Sequence, residues 1–202
     1  MAASRRESWT YGASSMGDPI AGLRAELTTL EVARRLFPMW TTWGVEDESH
    51  TVHSVGLSYL TAIGQSLGYV AAAEYPVAGP SVRADCVWWD AASRRVVAVF
   101  EFERHKDGSE LVDKTRNLMR AWHVADGTPP LLGLVLWTKN FFPLDVGATR
   151  GLWRELEQGF LDASRTRVGT VPVDRLKVFE CLHLAGPRGA WLLKGFQERV
   201  RQ

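Results

Sequence analysis

Asp85, Glu101 and Glu103 are the residues whose types and spacing could do chemistry together. Asp85 opens the run Asp85-Cys-Val-Trp-Trp89, and the two glutamates close the run Val96-Val-Ala-Val-Phe-Glu-Phe-Glu103. Both runs have strand composition, and the stretch between them reads as the turn of a β-hairpin. Side chains alternate faces along a strand, so Glu101 and Glu103 share one face. With the turn centred on Ala92-Ser93-Arg94, Asp85 falls across from Glu101 or diagonal to it. Three carboxylates then converge on one small volume. Such groups repel each other and lose hydration, so the pattern implies a cation among them. Ligation by oxygen alone selects Mg2+ or Mn2+ over zinc.

The elements that must position these acids can be read from periodicity and punctuation. Asp18-Pro19 reads as an N-cap followed by proline at the first helical position, and the helix is expected to run to about Phe37, just before Pro38. A second helix is expected from 47–49 to Gly68, with Val52, Val55, Tyr59, Ile63 and Leu67 on its buried side and Gly68 as C-cap. Glu46, Asp47 and Glu48 stand where negative charge complements its dipole. Three strands over 69–77, 82–89 and 96–103 have short connections, which makes an antiparallel meander the simplest arrangement. A helix follows over 109–123, then a nearly all-apolar strand over 131–138, a helix over 149–163, a strand over 176–184 and a short helix from Ala190 onward. The order α-β-β-β-α-β-α-β implies a mixed sheet with helices on its faces.

Composition sets the outer bounds. The chain has 202 residues, enough for one well-buried domain over 18–202, with 1–17 expected to be a mobile tail. A net charge of +1 gives no global attraction for nucleic acid or anionic membrane, so any basic surface must be local. Arg34-Arg35, Arg94-Arg95 and Arg104-His105-Lys106 are the candidates, and solvated surface accounts for each. Cys86 and Cys181 sit in apolar runs, as buried thiols of a reducing, cytoplasmic compartment would. No apolar run is long enough to span a bilayer, and no spacing of Cys and His suggests zinc. The nine tryptophans read as core filler, and His50 and His53 as a structural pair on one helical side.

The element order, with an acid on the second strand and an acid pair ending the third, resembles the PD-(D/E)xK nuclease superfamily over about 46–139. Asp85 stands at the first acidic position, Glu101 at the second, and Glu103 where lysine is usual. The resemblance implies a restriction-endonuclease-like α/β fold with core order α-β-β-β-α-β, a helical addition over 18–45 and a C-terminal helix and strand elaboration over 140–202. It implies metal-dependent hydrolysis of phosphodiester bonds, with DNA favoured over RNA and a homodimer as a common assembly. Asp85 and Glu101 would hold Mg2+ or Mn2+, the Phe102 carbonyl would add a ligand, and Glu103 would be a ligand or base. Some members take the lysine from the following helix, which points to Lys114. Some place an acid on the helix before the first strand, which points to Glu48, with Glu46 second.

Two other readings stay open. The glutamate at position 103 and the near-neutral charge suit a catalytically inactive domain of the same fold, serving as a nucleic-acid-binding or protein-assembly module. Alternatively, Arg83, Arg104 and Lys106 could neutralise the three acids in surface ion pairs of little energetic value, leaving a structural protein.

Overall fold

A computed structural model describes residues 17–45, 49–77, 82–105, 108–137, 146–186 and 189–201. Three strands, β1 (Val70–Pro76), β2 (Arg83–Trp89) and β3 (Val96–Arg104), form an antiparallel meander. Next in the sheet come β4 (Leu131–Trp137), parallel to β3, and β7 (Leu176–Ala185), parallel to β4. The edge strand β8 (Trp191–Arg199) is antiparallel to β7, giving the order β1-β2-β3-β4-β7-β8. A separate two-stranded ribbon pairs β5 (Phe160–Leu161) with β6 (Arg167–Val168). The mixed α/β sheet with flanking helices expected from the sequence is present. Every residue of β4 is buried, as its unbroken apolar run requires of a strand covered on both faces.

The helices divide between the two faces. One face carries α1 (Pro19–Thr29), α2 (Glu31–Leu36) and α3 (Ser49–Ser66), packed with Trp40 over Trp88, Phe100 and Phe102. The other carries α4 (Gly108–Val124) and α5 (Val146–Gln158) over Val99, Leu134 and Val178. Two glycines let α3 lie directly on the sheet. A Cβ at Gly56 would come within 2.3 Å of the Phe102 ring, and one at Gly64 within 2.6 Å of the Trp88 indole nitrogen. This close approach brings the first turns of α3 to the acid-bearing end of β3.

Three expectations need correction. The single helix expected over 18–37 is two helices, broken at Leu30, whose φ is 56°. The buried Glu26 carboxylate makes the break stable: it accepts the Val32 and Ala33 amides at the start of α2, and the Tyr59 hydroxyl from α3. The expected helix over 149–163 stops at Gln158, where Gly159 takes φ +66° and the chain turns into β5. The helix expected from Ala190 is strand β8. Its backbone satisfies the open edge of β7, Leu193 is buried, and the Glu180 carboxylate on β7 accepts from Arg199 across the pair. The expected tail over 1–17 lies, save for Gly17, outside the described residues, and no described helix is long and apolar enough to cross a membrane.

His183 on β7 lies under Trp40, whose indole N–H donates to His183 Nε2 at 3.0 Å. Burial pushes the imidazole down from 6.5 to about 4. Its neutral form therefore stabilises the fold fully above pH 6.5, and that contribution is lost as pH falls through 4. Relative to wild type, His183→Gln should gain roughly 3 kcal/mol between pH 7 and pH 4. Urea midpoints of both proteins at the two pH values measure the difference, and a constant difference would refute the assignment.

Candidate active site

The three acids meet where β2 and β3 part company. At this end the pairing of the two strands stops at Cys86 with Phe100. Beyond it, the Asp85 carboxylate accepts the Phe102 amide at 2.8 Å, a bond that strand pairing would otherwise make. An irregularity in β1–β2 permits this. Pairing runs through Ala73 with Cys86 and Tyr75 with Ala84, skipping Glu74 and Asp85, and Glu74 takes φ 49°. Ala84 consequently packs beneath α4 while Cys86 packs beneath α3, so regular alternation fails at Asp85. Its side chain is free to lie in the seam between the two helical layers.

Glu101 and Glu103 face α4, while Phe102 between them is buried in the core beneath α3. Lys114 on α4 draws the three acids together. Its ammonium is 2.8 Å from Glu101 Oε2, 3.1 Å from Glu103 Oε2 and 3.9 Å from Asp85 Oδ2. One helical turn further, Asn117 Nδ2 donates to Glu101 Oε1 at 2.5 Å and to the Arg83 carbonyl at 2.7 Å. Both oxygens of Glu101 are thereby held from α4. From the other layer, His53 Nε2 stands 3.7 Å from Asp85 Oδ2, too far for a direct hydrogen bond but close enough for electrostatic attraction. The Glu101 side chain is 1% exposed and forms the floor, whereas Glu103 at 23%, Lys114 at 28% and His53 at 32% form an accessible rim.

Electrostatics follows from that layout. Burial, and then the negative charge of Asp85, push the Glu101 carboxyl up to about 7, against the pull of Lys114 and Asn117. Burial would lower Lys114, but the charges of Glu101 and Asp85 outweigh it and hold the ammonium above its usual range. Burial would raise Asp85, but His53, Lys114 and the Phe102 amide bring its carboxyl below the ordinary value. Asp85 in turn raises His53, against burial and the repulsion of Lys114. Burial raises both carboxyls, but their partners leave Asp85 lowered and Glu101 raised, and such opposed shifts within one cluster are a feature of sites that handle protons or charged ligands.

Asp85, Glu101, Glu103 and Lys114 are thus brought together, while Glu48 and Glu46 lie outside the described residues. The Phe102 amide points toward Asp85, and a strand residue turns its amide and carbonyl to the same side, so its carbonyl faces that gap too. Arg83 and Arg104 do not make the surface ion pairs of the structural reading, and Lys106, its third base, lies outside the described residues. Arg83 Nε donates to the Glu74 carbonyl, and the Arg104 guanidinium stacks 5.5 Å above the Trp137 ring. Sequence pattern does not single out Asn117, and His53, expected to be structural, instead faces Asp85. Spacing offered two clues: Asn117 lies at i+3 from Lys114, and His53 one turn before the glycine that seats α3 on Phe102.

The donor set suits a hard divalent ion in kind, being oxygen only, and the Lys114 ammonium marks a point where positive charge is stabilised. Among the described residues, however, no three His, Cys, Asp or Glu side chains are arranged as a ready ligand set. The acids converge on the ammonium. Comparison with protein-family models, curated proteins and solved structures returns no match.

The fit of Glu101 to Lys114 makes a stability prediction. Removing one member of a buried ion pair strands the other, at a cost of about 3 kcal/mol. Lys114→Met should destabilise the fold by that order at pH 8, where Glu101 is ionised, and adding Glu101→Gln should recover at least about 1 kcal/mol of the loss. Urea denaturation of the two single variants and the double variant tests the coupling. Additive losses would show that the pair is not coupled.

Proposed function

We propose that the chain is a divalent-metal-dependent nuclease that hydrolyses phosphodiester bonds, with DNA as its substrate. The observation that supports this most is the convergence of Asp85, Glu101 and Glu103 on Lys114 at the end of a central strand pair. Asp85 and Glu101 are the residues to hold Mg2+ or Mn2+, with the Phe102 carbonyl turned to the same gap. When bound, the ion supplies polarisation of a phosphoryl oxygen and acidification of a water.

The remaining work falls to the chain's own groups. Lys114 is a permanent positive charge at the rim, placed to stabilise negative charge on the phosphoryl oxygens, an effect worth about 3 kcal/mol. Glu103 is the more exposed glutamate and can accept a proton from water at Oε2 once Lys114 turns toward substrate. Asn117 fixes the Glu101 carboxylate, and His53 favours ionisation of Asp85 from the opposite layer. The buried floor and open rim suit attack on a bond presented from solvent.

A second reading has its own support. Lys114 already supplies a cation to the acid cluster, and no ready ligand set exists among the described residues, as a catalytically inactive binding or assembly module of the same fold class would have it. Cleavage assays separate the two. Supercoiled plasmid, linear duplex and single-stranded DNA should be cut by wild type with Mn2+ or Mg2+ and spared with EDTA. Glu101→Gln and Lys114→Met, each verified as folded by circular dichroism, should cut at least about 100-fold more slowly. Equal cutting by wild type and Glu101→Gln, or no cutting of any substrate, would overturn the nuclease assignment.

A further inference from the structure

Beyond the acid cluster, positive charge is concentrated in a groove that the sequence does not single out. α5 packs on α4 through Gly151 against Val112 and through the Arg116–Glu155 ion pair at 2.8 Å. Its flank toward β8 borders a cleft of about 510 Å3 lined by Arg150, Trp153, Arg154 and Arg201. A second cleft of about 220 Å3 shares Trp153 and Arg201 with the first, and carries Lys177 and Arg199 beyond them. Trp153 and Arg201 line both clefts, so the two lie side by side as a groove along this flank.

The acids along this groove are already committed. Glu157 pairs with Arg201 at 2.6 Å, Glu198 accepts from Nε and Nη2 of Arg24 at 2.7 Å each, and Glu180 binds Arg199. Asp174 lies beside Arg175. Arg150 and Arg154 are exposed, stand at i and i+4 on one helical side, and have no acidic partner among the described residues; nor has Lys177. The groove therefore carries uncompensated positive charge on a chain whose net charge is only +1. Guanidinium groups favour phosphate oxygens, which they can bind through two parallel hydrogen bonds.

We infer that this groove along α5 binds the phosphodiester backbone of a nucleic acid, on the flank of α4 opposite the acid cluster. The choice of nucleic acid among polyanions rests on the proposed nuclease function; the existence of an anion-binding groove does not. Contacts of this kind set affinity and orientation without reading sequence, and they make binding salt-dependent.

The test uses the full chain and a fluorescein-labelled 20-base-pair DNA duplex, with binding read by fluorescence anisotropy in EDTA across a salt series. Arg150→Glu/Arg154→Glu should bind at least 10-fold more weakly at 0.1 M salt, and the slope of log affinity against log salt should shrink by about 1.8, two phosphate contacts. Arg34→Glu/Arg35→Glu carries the same change in charge on α2, whose residues line neither cleft, and should bind within twofold of wild type. Wild-type affinity in the α5 variant, or an equal loss in the α2 control, would overturn the groove. Glu101→Gln separates the two proposals: loss of cutting with binding intact leaves both standing. Binding through the groove by a wild-type protein that cuts nothing retains the groove and removes the nuclease.

Discussion

A carboxylate withdrawn from water persists as an anion only beside positive charge, and Glu101 has that charge from Lys114 at 2.8 Å. The rest of the cluster is arranged around this pair. Asp85 comes within reach of the same ammonium because β2 breaks its alternation there, and Glu103 because it shares a face with Glu101. The acids raise Lys114, burial and the charge of Asp85 raise Glu101, and His53, Lys114 and the Phe102 amide lower Asp85, in a site floored by protein and open at the rim.

The sheet supplies the rigidity this arrangement needs. β4 throughout and β3 over residues 98–102 are buried on both faces and fix the strand end that carries the glutamates. α4 delivers Lys114 and Asn117 from one side, while the glycine contacts of α3 with Phe102 and Trp88 bring His53 up from the other. Asp85 lies in the seam where the layers meet. A substrate approaching this seam would meet side chains from both helical layers, held to one backbone platform.

Much of this was legible in the sequence because it depends on local rules. Strand alternation put Glu101 and Glu103 on one face, and the turn around Ser93 brought Asp85 to their side; Asp90 Oδ1 accepts the Ser93 amide as such a turn requires. Lys114 was identified through resemblance, because nothing in local pattern shows which side chain of α4 looks toward β3. The irregularity at Asp85 depends on a positive φ at Glu74 in the neighbouring strand, which composition does not encode. The break at Leu30 escaped for a similar reason: its cap, Glu26, lies before the break and acts through tertiary burial. β8 was mistaken for a helix because an edge strand's register is set by its partner, and Glu180, which receives Arg199, is remote in sequence.

The claim at the centre of this account is that the carboxylates gathered on Lys114 can accept a divalent cation. Melting temperature measured in rising Mn2+, for wild type and Asp85→Asn, tests it without reference to any substrate. A site that binds the folded state predicts a progressive rise for wild type, by mass action, and little or none for Asp85→Asn. An identical response in both proteins, or none in either, would contradict it and leave the Lys114 ammonium as the only cation the cluster holds.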